Sequence, residues 1–340
     1  MNNIYLLTDY KGYFSSKYIS IPYRSGMDKK LLSQFFKDNG YNAIFLSYPD
    51  IDFRKNVYKN EIFLYTSSED IGGYYKDYIE DILLGLELRG AKLIPDFKYF
   101  RAHNNKVFME ILRDISDNMD IHNIKSKYFG TKEDAEKYIE EKNKNYVIKT
   151  FSGATSIGVT SSKNQNDFED KIKRASKSKN LFYDTWDFVR SIKHKGYIKE
   201  SLYRKKFIVQ DMIEGLKNDW KVLIFGKKYY VLYRGVRDND FRASGSGKFE
   251  YIEKLPEGFL DYCEKIYNFF NVPNLSIDIG FDGKQFYLFE FQAIYFGTQT
   301  LENSPFYYVK KNNKWEVIYE KSILEKEYVN SITDYLNKLK

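Results

Sequence analysis

Apolar positions along the chain repeat with two different periods. Residues 4–8, 43–47, 61–66 and 92–95 are short runs of β-branched and aromatic residues, the pattern of strands. Between them, residues 29–38 and 74–88 carry apolar side chains every three to four positions, in the second case Tyr75, Tyr78, Ile79, Ile82, Leu83 and Leu86. That spacing predicts two amphipathic helices, closed by Asn39-Gly40 and by Gly90. Strands alternating with helices predict a parallel α/β layer over roughly the first hundred residues.

Further along the periods are mixed. Helices are expected at 104–115 and 132–142, with a strand at 146–149 and a basic, solvated helix at 163–178. An apolar strand at 207–213 precedes a hairpin, 220–225 and 228–234, turned by Gly226-Lys227. A helix at 258–270 and a charged helix at 322–340 complete the reading. Two more strands, 276–283 and 286–292, form a second hairpin around Asp282-Gly283.

That second hairpin carries candidate chemistry. Glu290 and Gln292 are two residues apart and share a face. Asp278 joins them only if the register sets it opposite Glu290. A three-residue loop, Gly283-Lys284-Gln285, gives that register; a two-residue loop turns Asp278 to the other face. Three oxygen-bearing side chains would then suit a hard cation such as Mg²⁺. The alternative is a hairpin with one solvated polar face.

Composition narrows the classes. The 340 residues suggest two or three domains at ~150 residues each. The single cysteine, Cys263, excludes an intramolecular disulfide framework and fits a reducing compartment. No apolar run approaches the ~20 residues of a membrane span, and no signal peptide is evident at the start. A cytoplasmic protein without a membrane partner is expected. The net charge of +7 is modest. It disfavours nucleic acid as a partner relative to small anionic ligands. A homodimer is left open.

Several loops could bind an anion. Ser152, Gly153, Ser156 and Gly158 fall in a small-residue loop whose amides and hydroxyls could cradle phosphate, or which could be an ordinary turn. Lys149 ends the preceding strand and could reach a phosphate. Gln210 and Asp211, on the strand that ends near Ile213, could meet a purine edge. Asp219 could hold a ribose hydroxyl or simply begin a strand. Arg234, Arg237, Arg242 and Lys248 surround a Ser/Gly-rich stretch suited to phosphate or carboxylate recognition. His103, His122 and His194 show no metal spacing, and no Ser/His/Asp or Cys/His set can be argued.

Taken in order, these motifs resemble the ATP-grasp superfamily: Asn104-Asn105-Lys106-Val107-Phe108, Val147-Ile148-Lys149 with its loop, Val209-Gln210-Asp211-Met212-Ile213-Glu214-Gly215, Asp219-Trp220-Lys221-Val222, Tyr233-Arg234, Phe241-Arg242, Asp278 and Glu290-Phe291-Gln292. The resemblance covers residues 100–300. It implies an α/β and α+β protein: an N-terminal pre-ATP-grasp domain at 1–100, then a two-subdomain grasp divided into 101–206 and 207–340.

It also implies that ATP lies between the subdomains. Lys106 and Lys149 would contact its phosphates under the loop of residues 152–158. Gln210 and the backbone of Asp211 and Ile213 would meet adenine, with Asp219 at the ribose. Asp278, Glu290 and Gln292 would hold Mg²⁺, and Arg234, Arg242 and Lys248 would face the reacting groups. The sequence departs from the family at Gln292, where many members have Asn, and at Lys221, where ligases often have Arg. The implied activity is an ADP-forming ligation of a carboxylate to an amine or thiol through an acyl phosphate. The alternatives are a small-molecule kinase on the same fold and a non-catalytic nucleotide-binding module.

Overall fold

The computed structural model describes residues 2–54, 57–141, 144–153, 158–216, 218–235 and 247–339. They form two compact units. Met1–His103 and Leu216–Lys340 make the first, and Asn104–Gly215, inserted in sequence, makes the second.

The first unit begins with a parallel sheet. Strands β1 (Asn2–Thr8), β2 (Tyr41–Ser47), β3 (Ile62–Tyr65) and β4 (Lys92–Ile94) lie in the order β2-β1-β3-β4, all parallel. Helix α1 (Lys29–Asp38) starts where Asp28 caps it, its Oδ1 accepting from the Lys30 amide at 2.8 Å and the Leu31 amide at 3.2 Å. It stops at Gly40, whose φ of +84° a side chain would strain. Helix α2 (Tyr74–Leu88) buries Ile79, Leu83 and Leu86 against Leu7, Phe63 and Tyr65, together with Phe100 of α3 (Phe97–Ala102).

The second unit holds α4 (Lys106–Asp114), β5 (Ser126–Phe129), α5 (Lys132–Tyr138), β6 (Tyr146–Thr150), β7 (Val159–Ser162), α6 (Gln165–Ser176), α7 (Leu181–Lys193) and β8 (Phe207–Asp211). Its antiparallel sheet runs β5-β8-β6-β7. One sheet face, bearing Ile148, Phe207 and Val209, packs on Phe168 and Ile172 of α6. The expectation of a solvated helix at 163–178 is therefore corrected: α6 buries an apolar stripe beneath its lysines. Residues 207–211, placed by sequence with the C-terminal part, are hydrogen-bonded into this sheet between β5 and β6. The expected helix at 104–115 begins only at Lys106, because Asn104 is left-handed and Asn105 is the cap.

The chain then returns to the first unit with β9 (Asn218–Phe225), β10 (Lys228–Gly235), β11 (Phe249–Glu250), α8 (Phe259–Phe270), β12 (Asn274–Phe281), β13 (Phe286–Gln292), α9 (Gln299–Asn303), β14 (Tyr307–Lys311), β15 (Lys314–Ile318) and α10 (Leu324–Lys338). Six of the strands form the antiparallel order β13-β12-β9-β10-β14-β15, with β11 paired to β10. One face of this sheet meets α8: Trp220 lies 5.2 Å from Phe259, and Phe291 lies 4.2 Å from Phe270, between ring centroids. At one end the other face joins the core of the parallel sheet, where Leu223, Phe225 and Tyr230 meet Ile4, Leu6, Phe36 and, from α10, Val329, Ile332 and Leu336. The C-terminal helix buries Val329, Ile332 and Leu336 together with Glu325 and Glu327, which meet Lys17 and Lys228 at 2.7 and 2.8 Å. Ile332→Ala should therefore cost about 2–5 kcal/mol of stability, read as a lower urea midpoint.

Candidate active site

In the first unit the candidate metal residues stand on the two-strand ladder of β12 and β13. The connecting loop has four residues, not three. Asp282 Oδ1 fixes it by accepting from the Lys284 and Gln285 amides at 2.8 and 2.9 Å. Phe281 pairs with Phe286, so an unbroken ladder would set Asp278 opposite Phe289 and turn it away from Glu290. A β-bulge reverses this. The register shifts between Asp278 and Ile279, Phe289 is the extra residue, and Asp278 pairs with Glu290. The expected juxtaposition is present, reached through a bulge rather than a three-residue turn.

The same face carries more charge than the motif reading anticipated. Lys221 of β9 pairs with Asp278, Asp219 pairs with Arg234 of β10, and Ser276 pairs with Gln292. Arg234, 6% exposed, lies between two carboxylates. Its Nε and Nη2 donate to Asp219 Oδ1 and Oδ2 at 2.5 and 2.9 Å, and Nη2 also lies 2.9 Å from Asp278 Oδ2. Lys221 Nζ donates to Ser276 Oγ at 3.0 Å and sits 3.5 Å from Asp278 Oδ1. Glu290 Oε1 accepts from Gln292 Nε2 at 3.2 Å. Ser276 was legible in sequence as the same-face neighbour of Asp278, two residues back.

Burial raises both aspartates. At Asp278 the charges of Arg234 and Lys221 outweigh it and hold the carboxyl down to about 2. At Asp219 burial outweighs Arg234 and the carboxyl is pushed up to about 6. Two carboxylates that share one guanidinium titrate as a pair. Both Asp219 oxygens accept from Arg234, so in this structure the carboxylate that was expected at the ribose holds that guanidinium.

The donor chemistry fits Mg²⁺. Asp278, Glu290 and the amide oxygen of Gln292 are hard oxygen donors on adjacent strands of one face. Among the described residues no group of three His, Cys, Asp or Glu is placed to hold a metal.

In the second unit the candidate nucleotide residues gather around β6 and α4. Lys149 pairs with Ile208, and Val147 pairs with Gln210, so Lys149 and Gln210 share the sheet face away from α6. Lys106, 7% exposed, opens α4; its amide donates to Phe151 O at 2.8 Å and its Nζ to Gly153 O at 2.9 Å. Asn104 Oδ1 accepts from the Gly153 amide at 3.1 Å, and Thr150 Oγ1 donates to Ser152 O at 2.7 Å. At the loop's far end Gly158 has φ +77°, and a Cβ there would come within 2.1 Å of Thr150 Oγ1. Both described ends of the glycine loop are thus fixed to α4 or β6. Ser156, like Arg242 and Arg237, lies outside the described residues.

Gln210 is 4% exposed, and its Nε2 has no hydrogen-bond partner among the described residues. Its cross-strand neighbour Ser126 donates to Glu110 Oε2 at 2.6 Å, and Glu110 lies 3.6 Å from the buried Arg113. The sequence reading missed this buried pair, whose signal was an acid and a base three apart on one helix. Asp211 is already committed: its amide donates to Lys125 O at 2.9 Å and its carboxylate accepts from Lys144 Nζ at 2.8 Å. Ile213 follows in an irregular, half-buried stretch. Lys248 lies across from the end of β10, its carbonyl accepting from the Gly235 amide at 3.0 Å.

Removing Arg234 leaves the buried Asp219 and the half-buried Asp278 without the cation they share. Arg234→Met should cost about 3–5 kcal/mol, and adding Asp219→Asn and Asp278→Asn should recover much of it. Because the Asp278 carboxyl is lowered in the folded state, its stabilisation is present above the usual carboxylate range. It is lost as pH falls from about 4 to about 2. Thermal melts across that window should fall less steeply for Asp278→Asn than for the parent.

No family model matches the chain, and no curated protein matches it. Solved structures do. The chain is similar to a RimK domain ATP-grasp protein from Sphaerobacter thermophilus, with 11% identity, TM-score 0.52 and 98% of each chain covered. It is also similar to the D-cycloserine synthetase DcsG, with 11% identity, TM-score 0.55 and coverage of 98% of this chain and 100% of that one. A third is a RiPP-associated ATP-grasp ligase from Chryseobacterium gregarium, solved with ADP and a leader and core peptide. It shows 14% identity, TM-score 0.53 and coverage of 100% and 98%. The order of the motifs along the chain and these likenesses agree: the protein has the fold of the ATP-grasp superfamily.

Proposed function

We propose that this protein is an ATP- and Mg²⁺-dependent ligase that joins a carboxylate to an amine or thiol. The observation that carries the reading lies in the second unit. There Gln210, with its buried, unpaired amide, shares a sheet face with Lys149, and Lys106 is tied to the start of the glycine loop. An unpaired buried donor costs about 1–3 kcal/mol, and a purine ring nitrogen would relieve it. Lys106 and Lys149 are the proposed cations for a polyphosphate that would lie under the loop of residues 152–158.

In the proposed reaction a substrate carboxylate oxygen attacks the γ-phosphorus and the bond to the bridging oxygen of ADP breaks. The resulting acyl phosphate is attacked at carbon by the amine or thiol, and phosphate leaves with the bonding pair. No protein nucleophile is needed; the chain positions groups and balances charge. Asp278, Glu290 and Gln292 would hold Mg²⁺, which when bound offsets the charge of the phosphates. Arg234 holds Asp278 in place on β12. Arg242 and Lys248 are the proposed cations for the transferring phosphoryl group. The structural neighbours include a D-cycloserine synthetase and a ligase solved with peptides, so both small and peptidyl carboxylates belong in a substrate screen.

Two outcomes follow from these roles. Lys149→Ala and Gln210→Leu should each weaken ATP binding about tenfold (the loss of one charge-assisted or one buried hydrogen bond), measured by calorimetry. Glu290→Gln should keep the fold and lose ADP production in the presence of carboxylate and amine. Hydroxylamine should trap the acyl phosphate as a hydroxamate. A stable phosphorylated product would identify a kinase instead, and ATP binding without turnover a non-catalytic module.

A further inference from the structure

One element of the second unit is built inside out. Helix α7 is capped by Asn180 and carries Leu181, Phe182, Tyr183, Trp186, Phe188, Val189 and Ile192, yet buries none of its residues. Leu181 is 86% exposed, Ile192 72%, and Ile198 in the following loop 87%. Its polar side is the one tied to protein: Asp187 Oδ1 accepts from Tyr197 Oη at 2.5 Å, and Oδ2 from the Glu200 amide at 2.9 Å. From 177 to 206 no residue is buried. A concentration of exposed apolar side chains of this kind marks a contact site.

The charge says what the contact is with. Residues 163–206 hold thirteen Lys and Arg against six Asp and Glu, a surplus of seven. The whole chain has 54 against 47, which leaves 41 of each sign elsewhere. The entire net charge of the protein therefore sits in the segment that contains α7. Arg190, Lys193, Lys195 and Lys199 lie within or just after the helix. The partner is anionic and apolar.

We infer that α7 and the loop after it form a docking surface for an anionic lipid bilayer. A second copy of this chain would set the positive surplus against itself. Nucleic acid would satisfy the lysines, but the most exposed side chains are aliphatic and stack poorly on bases. A peptide would need a wall to close against, and the residues flanking the ridge are themselves exposed or half-buried. A lipid surface needs no wall. Leu181, Ile192 and Ile198 enter the acyl boundary, Tyr183 and Trp186 suit the headgroup level, and the lysines meet the lipid phosphates. Among the described residues no helix is long and apolar enough to cross a membrane. The expectation of no membrane partner rested on the lack of a span, and a helix lying in the interface plane needs none.

The test uses the full chain without nucleotide and sucrose-loaded vesicles of phosphatidylcholine, alone or mixed with phosphatidylglycerol. The protein should pellet with the mixed vesicles only, release at high salt, and show a blue shift of tryptophan emission that Trp186→Leu removes. Leu181→Glu with Ile192→Glu, and separately Lys193→Glu with Lys195→Glu and Lys199→Glu, should each lower partitioning on the order of tenfold or more. Neither set touches a buried residue, so the circular-dichroism melts should match the parent. The inference is overturned by no pelleting with the mixed vesicles, by equal pelleting with phosphatidylcholine alone, or by undiminished pelleting of both variants. A Trp186 response to poly-L-glutamate without vesicle binding would overturn it in favour of an acidic polypeptide.

Discussion

The contact between Arg234 and its two aspartates governs the polar face of the first unit. Each group alone would be costly in that position, since a buried ion without a partner loses several kcal/mol of hydration. Together Asp219, Arg234 and Asp278 bridge three neighbouring strands, β10, β9 and β12, from one side. On the other side Trp220 and its aromatic neighbours hold the same sheet to α8. Asp278 is thereby fixed in orientation, with Glu290 opposite it. A flexible aspartate would not define a site; one gripped by a guanidinium does.

The elements that were legible in the sequence are those whose ends are set by local chemistry. Helices α1 and α2 fall where periodicity and glycine stops put them, because the Asp28 cap, Gly40 and Gly90 act within a few residues of where they stand. The Asp278–Glu290 pairing was legible as a possibility but not in its cause. Turn rules count loop residues, whereas here the parity error of a four-residue loop is cancelled by Phe289, and a bulge leaves no reliable mark in a single sequence. The ion pair between Arg234 and Asp219 was hidden for another reason. It depends on which strands are neighbours, and that is a tertiary fact.

In the second unit the misreading of α6 and the silence about α7 share an origin. Both helices carry charged side chains at close spacing, six in α6 and four in α7, and charge density reads as solvent exposure. Helix α6 nonetheless buries Phe168 and Ile172, while α7, with the more hydrophobic sequence, buries nothing. Average polarity therefore ranked the two helices in the wrong order. Only the packing partner distinguishes a stripe that faces a sheet from one that faces outward. The place of Lys149 near the end of β6 was legible because a strand running into a glycine loop is a local feature.

The interruption of the first unit by the second has a consequence for synthesis. Ile4, Leu6, Phe36 and Leu64 emerge first, but Leu223, Phe225, Leu301, Val329 and Ile332, which complete their core, are encoded roughly 160 to 330 residues later. At roughly 5–20 residues per second on the ribosome, the parallel layer waits on the order of tens of seconds with one apolar face uncovered. The inserted unit has its own core in Phe129, Ile148, Phe168 and Val209 and can close during that interval. The nascent chain therefore carries its finished N-terminal sheet with an incomplete hydrophobic cover until the residues of α10 have left the exit tunnel.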